Sequence, residues 1–205
     1  MDDLEVGGIF NTSSGSFEMD SMFAGCSTLT TFTADLPSLE NGTFMFGLCS
    51  LTSFEGELSS LTNGYLMFTS TDVTNFNTNL NSLNNGVGMF SGCSNLNSFT
   101  PDLSSLMYGM GMFQGCTALN SFNSDLSSLT NGESMFADCN LNSDSIINIA
   151  NTINDVNHLI GTTDMMTGET ITEIPIDLGT IPSDTDVSSA IEQMENKGWT
   201  IYSNN

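Results

Sequence analysis

The chain has 205 residues and a mass of 21.9 kDa, a length that predicts one domain with at most a small appendage. It contains one Lys or Arg against 24 Asp or Glu, so its formal net charge is −23. So few cations cannot neutralise phosphate groups, which excludes nucleic-acid binding through a basic surface and electrostatic docking on anionic lipid. Charged residues make up only 12% of the chain, so its polar surface must come largely from Ser, Thr and Asn.

The first residues, Met1-Asp-Asp-Leu-Glu-Val-Gly-Gly, are acidic where a secretory signal peptide would be basic and then apolar. No run of about 18 apolar residues occurs anywhere. We therefore expect neither ordinary secretion through a signal peptide nor insertion into a membrane. Residues 1–16 are rich in Gly and Ser, and we interpret them as an N-terminal arm or a partial first coil.

A Met-Phe pair recurs six times along the chain, at steps of 22 or 23 residues. The pairs begin at Met22, Met45, Met67, Met89, Met112 and Met135. A column of phenylalanines keeps the same phase at Phe32, Phe54, Phe76, Phe99 and Phe122, and a column of leucines at Leu36, Leu58, Leu80, Leu103 and Leu126. A fixed period with fixed apolar positions predicts a solenoid whose coils bury their apolar faces against each other.

Each repeat divides into two halves. The alternation before the phenylalanine, as in Leu119-Asn-Ser-Phe122, predicts a short strand. Asn-Gly pairs at 41–42, 63–64, 85–86 and 131–132 predict turns, since both residues tolerate positive φ, and the Met-Phe-x-x-Cys segment that follows predicts one turn of helix. The fold class is therefore α/β: a leucine-rich-repeat-like, right-handed solenoid of five to six coils over residues 17–141, with a short parallel strand and a helical turn in each coil.

The Met-Phe rhythm stops after Cys139, so residues 142–205 are predicted to form a C-terminal α/β cap. Asn142 to Asp144 offer an N-cap for a helix through Ile146 to Ala150. A strand is predicted within 171–178 and a second helix from Asp184 or Thr185 to Met194. A last strand is predicted at 199–202, with Trp199 in the core of the cap.

Five cysteines follow the repeat, and the third repeat has Thr71 at their position. They are Cys26, Cys49, Cys93, Cys116 and Cys139. No C-x-x-C pair occurs, and His158 is the only histidine, so the sequence favours neither a zinc site nor a disulfide framework. We expect buried, reduced thiols that pack as small apolar groups.

An acidic column recurs at one repeat position: Asp35, Glu57, Asn79, Asp102 and Asp125. Stacking would bring its carboxylates about 5 Å apart, where they repel unless hydrogen bonds or a cation intervene. We predict no cofactor, and Ca²⁺ between neighbouring coils is the one weak metal hypothesis. The alternative is that these carboxylates accept main-chain N–H bonds in their own turns or only keep the surface soluble.

The residues on either side of each strand phenylalanine should point away from the core together. They are Thr31, Ser53, Asn75, Ser98 and Ser121 before it, and Thr33, Glu55, Asn77, Thr100 and Asn123 after it. This ladder of hydroxyls and amides is our candidate ligand face, suited to a glycan. The alternative is a solvated sheet face that binds nothing, and ice binding would require a more uniform row of Thr.

The segment Asp125-Leu-Ser-Ser-Leu-Thr-Asn-Gly-Glu-Ser-Met-Phe-Ala-Asp-Cys139 resembles the BspA-like bacterial surface leucine-rich repeats and their phage-encoded relatives. The resemblance covers about residues 17–141, and the segments 145–153 and 197–201 are similar to the cap of such arrays. It implies a surface or virion protein used for attachment, without a catalytic residue to carry over. The unit here is 22–23 residues long and Ser- and Asn-rich, and we expect no signal peptide and no anchor of the kind that a bacterial surface member carries.

The sequence therefore predicts a non-enzymatic attachment module, on a virion or an extracellular surface, that recognises a host-surface glycan or protein. The alternative is a structural subunit that assembles with copies of itself or decorates a filament or virion. No G-x-S-x-G motif or singled-out carboxylate pair supports hydrolase chemistry.

Overall fold

The computed structural model describes residues 17–18, 20–160, 170–183 and 185–204. Nine short strands, two α-helices and one turn of 3-10 helix at Asn157–Leu159 are present in these ranges. The strands are β1 Phe17–Glu18, β2 Thr31–Phe32, β3 Leu39–Asn41, β4 Ser53–Phe54, β5 Asn75–Phe76, β6 Ser98–Phe99, β7 Ser121–Phe122, β8 Pro175–Asp177 and β9 Thr200–Tyr202. The helices are α1 Ser143–Thr152 and α2 Thr185–Asn196.

The strand predicted before each phenylalanine exists, and the strands of successive coils pair in parallel. Strand β2 pairs with β4, and β6 lies between β5 and β7, with phenylalanine opposite phenylalanine in every pair. The ladder is interrupted between β4 and β5, which fall in separate sheets. The structure thus confirms the solenoid of stacked coils with short parallel strands.

A second line of parallel pairing, which the sequence did not suggest, runs through the Asn-Gly positions. Strand β1 pairs with β3, and single bridges continue the line through Asn41, Asn63, Asn85, Tyr108 and Asn131. Each coil is therefore joined to its neighbours by main-chain hydrogen bonds at two separate places around its circumference.

The Met-Phe-x-x-Cys segments are hydrogen-bonded turns instead of the predicted turn of helix. Alternate N–H groups bond locally, as from Met45 to the carbonyl of Gly42 at 3.1 Å, while the N–H groups between them reach the next coil, as from Phe46 to the carbonyl of Met67 at 2.9 Å. A helix would direct all of these donors along its own axis. The turns direct half of them to the neighbouring coil, so they stack as the strands do.

Main-chain N–H groups on the turn side and on the strand side of a coil point in opposite directions along the stack. On the turn side, N–H groups donate to the following coil, as Phe46 does to Met67. On the strand side, N–H groups that flank the phenylalanines donate to the preceding coil, as Glu55 does to the carbonyl of Phe32 at 2.9 Å, whereas the N–H of Phe122 donates to the following segment. Every coil therefore donates in both directions, and its main-chain groups depend on both of its neighbours.

The Asn-Gly pairs precede the turns, and the glycines at 42 and 64 do not use the positive φ that such pairs tolerate. Gly42 and Gly64 have ordinary φ, and positive φ occurs two residues further on, at Phe44 (53°) and Leu66 (53°). Glycine is required in the pair for space, because a Cβ atom at Gly64 would lie 2.8 Å from the Sδ atom of Met89 in the next coil. The methionine of each coil thus packs against the glycine of the preceding one.

Two ladders of phenylalanine rings form the core. The strand-side rings stack at centroid distances from 5.5 Å to 6.2 Å, and the rings of the Met-Phe pairs stack at 5.3 Å to 5.7 Å. Rings of the two ladders meet edge to face, as Phe90 does with Phe76 at 4.8 Å. The strand side and the turn side of the solenoid therefore lie on opposite sides of one aromatic core.

The cap contains the four elements predicted for it, and it continues the stack. The N–H groups of Gly132 and Phe136 donate to the carbonyls of Pro175 and Asp177, at 3.1 Å and 3.0 Å, so β8 replaces the turn segment of a further coil. The side chain of Asn142 accepts from the N–H of Ser145 at 2.9 Å and caps helix α1. Helix α2 ends two residues later than predicted, and Asp184 lies outside the described residues, as do residues 1–16.

Helices α1 and α2 have 10 and 12 residues, and no helix in the described ranges is long and apolar enough to cross a bilayer.

Candidate functional site

The ten predicted ligand-face residues lie together on the outside of the strand side, and we call them the strand face. Each strand phenylalanine is 0% to 4% exposed, so the neighbours on either side of it must point outward. The five residues after the phenylalanines, Thr33, Glu55, Asn77, Thr100 and Asn123, are all exposed. Of the five before them, Asn75 is exposed, while Thr31, Ser53, Ser98 and Ser121 are half-buried.

The last three strands that carry the strand face, β5, β6 and β7, pair in direct register. Ser98 lies opposite Asn75 on one side and Ser121 on the other. Within the described part of the chain, the hydroxyl groups of Ser98 and Ser121 have no hydrogen-bond partner, so both can bond to a ligand. In the second coil the hydroxyl of Ser53 lies 3.3 Å from a carboxylate oxygen of Glu55. This is the one acidic position of the face.

The acidic column is placed at the corner that follows the strand face, and most of its members bond locally. The side-chain oxygens of Asn79, Asp102 and Asp125 accept from the N–H two residues later, at 2.9 Å, 2.8 Å and 2.7 Å. Asp35 accepts from the N–H of Glu57 in the next coil at 3.1 Å, and the Glu57 side chain is exposed. These bonds give the carboxylates of Asp35, Asp102 and Asp125 a role in shaping the corner without a cation.

No three His, Cys, Asp or Glu side chains are grouped to hold a metal ion anywhere in the described ranges. Binding of Ca²⁺ between neighbouring coils by Asp35, Glu57, Asp102 and Asp125 therefore stays a prediction. Each of these coils would supply one acid. A thermal melt in Ca²⁺ and in chelator tests it, and equal melting temperatures would remove it.

The asparagine column forms a ladder that sequence reasoning treated only as turn residues. The side-chain oxygen of Asn41 accepts from the N–H of Thr43 at 3.1 Å and from the amide of Asn63 at 3.0 Å. Asn63, Asn85 and Asn131 repeat the bond to the N–H two residues later. The local acceptor bond recurs in four coils and explains the recurrence of asparagine, and Asn63 in addition donates to the neighbouring coil.

The cysteine column is reduced, and four of its five thiols are buried. Cys26, in the first described coil, is half-buried. The thiols of Cys93 and Cys116 donate to the carbonyls of Phe68 and Phe90, each at 3.1 Å. Burial raises the pKa of the Cys93 thiol from 9.0 to about 11 and that of Cys139 to about 12. Thiols that keep their proton are poor nucleophiles, so the buried Cys93 and Cys139 pack and donate hydrogen bonds and are poorly reactive at neutral pH.

The only Lys or Arg of the chain is Lys197, and it serves the cap. Its ammonium group donates to the last carbonyls of helix α1, those of Ala150 at 2.7 Å and Ile153 at 2.8 Å. Burial lowers its pKa, while the nearby carboxylate of Asp155 opposes that shift. The strand face therefore offers a ligand hydroxyls and amides but no cation.

Trp199 is buried in the cap as predicted, and its indole N–H donates to the carbonyl of Asn154 at 3.0 Å. His158 lies within the 3-10 turn, and its side chain is outside what the structure describes.

Sequence reasoning also missed an uncharged surface on the turn side. We call it the turn face, and it consists of the outward side chains of residues 41–50, 63–71, 85–94 and 107–117. No Asp, Glu, Lys or Arg occurs in these four segments, and the exposed acids Glu40 and Asp72 border them. The signal was present in the variable positions around each Met-Phe pair, which carry Leu48, Tyr65 and Met110.

Comparison with protein families gives one match over most of the chain. The family described as BspA type leucine rich repeat region matches in six copies, over residues 16–108 and 42–158. No curated protein and no solved structure matches the chain.

Proposed function

Because the chain belongs to the BspA-type leucine-rich repeat family, whose members are often surface-associated adhesion modules, we propose that it is a non-enzymatic attachment module of a virion or extracellular surface. The strand face is its contact surface in this proposal. The ligand is a host-surface glycan or a protein that presents a similar polar surface.

The observation that carries the proposal is the row of outward hydroxyls and amides in register on a rigid core. Asn75, Ser98 and Ser121 succeed one another at the spacing of parallel strands, about 4.8 Å. The rings beneath them are buried and stacked, so these side chains are held in place before any ligand arrives. Repeat arrays commonly use such an extended face for binding.

The negative charge of the chain limits the kinds of glycan that the strand face can bind. With a net charge of −23 and its single Lys engaged by helix α1, the chain repels sialylated or sulfated glycans. We therefore propose a neutral glycan bound by hydrogen bonds from Ser, Thr and Asn side chains.

A glycan array with the labelled full chain tests the proposal. The variant Thr100→Lys/Asn123→Lys places two long side chains on exposed positions of the strand face, and we expect it to lose the array signal. The control Ser59→Lys/Ser127→Lys makes the same charge change at exposed serines outside the strand face and should retain binding. Absence of any neutral-glycan signal, or equal loss in both variants, would contradict the proposal.

The alternative function is a structural subunit that stacks through the ends of the solenoid. It is supported by the first described coil, where Met22 is 53% exposed although the equivalent Met45 and Met67 are fully buried. Negative-stain images at low and physiological salt, with and without Ca²⁺, test this alternative. Filaments or ordered assemblies would favour it over the attachment module.

A further inference from the structure

The four Asn-Gly pairs of the chain, at 41–42, 63–64, 85–86 and 131–132, are the dipeptides most prone to a spontaneous reaction of the asparagine amide. Base removes the proton of the glycine N–H, and the nitrogen attacks Cγ of the asparagine. A bond forms between that nitrogen and Cγ, the C–N bond of the side-chain amide breaks, and ammonia leaves. Water then opens the cyclic imide to aspartate or isoaspartate. Glycine permits the attack because it has no Cβ to obstruct it.

The stacked coils engage the attacking nitrogen in three of the four pairs. The N–H groups of Gly42, Gly64 and Gly86 donate to main-chain carbonyls of the following coil, at 2.9 Å, 2.8 Å and 2.9 Å. All three glycines are buried, so base in the solvent does not reach their amide protons. The asparagine side chains are held as well, as Asn63 is by the N–H of Tyr65 at 3.2 Å. These pairs are therefore protected as long as the following coil stays in place.

The fourth pair depends on the cap for the same protection. The N–H of Gly132 donates to the carbonyl of Pro175 at 3.1 Å, and Pro175 belongs to the three-residue strand β8 instead of a coil. Ile176 covers the pair, because a Cβ atom at Gly132 would lie 3.0 Å from the Cγ1 atom of Ile176. If β8 leaves, the nitrogen of Gly132 loses its acceptor and its cover, while the coils before it stay stacked.

The direction of the hydrogen bonds makes the two ends of the array unequal. The first described coil is joined to the second on the turn side by its own donors, as from Phe23 to the carbonyl of Met45 at 2.9 Å. If the first coil separates, the N–H of Gly42 keeps its bond to Asn63 in the third coil. If the cap separates, the N–H of Gly132 has no partner. The ends of a repeat array open more readily than its interior, and of these two ends only the C-terminal one exposes an Asn-Gly nitrogen.

We propose that Asn131 is the site at which this chain modifies itself spontaneously, and that the reaction follows the departure of strand β8 from Gly132. The isoaspartate product lengthens the main chain by one carbon atom between residues 131 and 132, where the bridges to Tyr108 and Ile176 lie. Strand β8 cannot then return to its original register, so the modification keeps the cap undocked. This inference goes beyond the proposed function and does not depend on it.

Incubation of the full chain in mildly alkaline buffer tests the proposal, with a parallel sample unfolded in guanidinium chloride. Peptide mapping by mass spectrometry, together with labelling by an isoaspartyl methyltransferase, gives a reaction rate for each pair. We expect similar rates at all four pairs of the unfolded chain. In the folded chain, Asn131 should react at least about tenfold faster than Asn41, Asn63 or Asn85, because its protection requires only the cap to open.

Two variants of equally buried residues test the difference between the ends. Ile176→Ala removes most of the side chain that covers Gly132, and it should raise the rate at Asn131 by about tenfold or more. The matched control Leu29→Ala loosens the first described coil, and Asn41 should react as slowly as in the wild type. Circular dichroism melts show whether each variant is folded at the incubation temperature, and Ile176→Val provides a smaller change with a smaller expected increase.

Equal rates at the four pairs of the folded wild type would overturn the proposal, because the array would then open as one unit. So would a faster reaction at Asn41 than at Asn131, or a folded Ile176→Ala variant that reacts at Asn131 no faster than the wild type. A rate at Asn41 that rises in folded Leu29→Ala would contradict the unequal protection of the two ends.

Discussion

The hydroxyl oxygen of Ser145, in the cap, accepts a hydrogen bond of 2.8 Å from the main-chain N–H of Phe122, the last of the strand-side phenylalanines. The sixth coil has no strand to supply a main-chain acceptor there, and the first turn of helix α1 supplies a side chain instead. Ser145 is 2% exposed, so this bond is shielded from water.

Removing that hydroxyl should destabilise the array from its C-terminal end. Ser145→Ala leaves the buried N–H of Phe122 without a partner, and we expect a loss of about 1 to 3 kcal/mol in the free energy of unfolding. Urea denaturation followed by circular dichroism measures it. The control Ser127→Ala, at an exposed serine, should leave the midpoint unchanged, and equal midpoints for both variants would show that Ser145 does not hold the cap.

The single cation of the chain should matter more than a surface lysine. Lys197→Met removes two charge-assisted bonds to the last carbonyls of α1, so we expect a loss of about 1 to 2 kcal/mol. Ser127→Asp makes the same change in net charge at an exposed serine and serves as the control. If the two variants denature at the same urea concentration, the lysine contributes only through net charge.

Stability should fall above about pH 9 because of the buried thiols. Burial raises the pKa of Cys93 to about 11 and of Cys139 to about 12, whereas the unfolded thiols titrate near 9.0. At intermediate pH the unfolded chain has lost these protons and the folded chain has kept them, so rising pH favours unfolding by about 1 kcal/mol per thiol between pH 9 and 10.

Substitution by the residue that the third repeat already uses isolates this contribution. Cys139→Thr, which copies the natural Thr71, should show a smaller alkaline loss than the wild type when urea midpoints are compared at pH 8 and pH 10 in reductant. Parallel pH profiles for the two proteins would contradict a raised thiol pKa.

Two kinds of glycine should respond differently to a methyl group. Gly25 has φ of 70° and no atom within 4 Å of where a Cβ would lie, so Gly25→Ala should cost only the left-handed strain, about 1 kcal/mol. Gly64 has ordinary φ but faces the Sδ atom of Met89 at 2.8 Å, so Gly64→Ala should cost about 1 to 3 kcal/mol through overpacking.

A double-mutant cycle distinguishes these causes. In the background Met89→Ala, the cost of Gly64→Ala should nearly vanish, because the crowding sulfur is gone, whereas the cost of Gly25→Ala should be unchanged. Additive effects for Gly64 and Met89 would show that crowding is not the reason for glycine there.

The period and the apolar columns sufficed to predict the stack, the inward phenylalanines and the cap elements. They did not predict the turn segments, because the N–H groups of Phe44 and Phe46 bond to carbonyls 21 residues later and no local pattern reports such a partner. The role of glycine in the Asn-Gly pairs could not be predicted for a related reason. Gly64 is selected by a methionine of the next coil and not by its own φ.

The strand face followed directly from the alternation around each phenylalanine, since a buried ring requires its neighbours to point outward. The turn face did not, because its residues occupy positions that vary between repeats. Leu48 and Gly115 share one repeat position, and the repeat leaves it free to vary because a side chain there points away from the core.

Each coil donates main-chain hydrogen bonds to the following coil on its turn side and to the preceding coil on its strand side. Every coil therefore makes the same pattern of bonds to its two neighbours. An in-frame duplication or deletion of 22 or 23 codons between equivalent positions would therefore preserve every inter-coil bond and both ends of the array. Such a change would lengthen or shorten the strand face by one strand spacing, about 4.8 Å, without redesign of the core. The length of the strand face can therefore change in evolution through the number of repeats, independently of the side chains that determine what it binds.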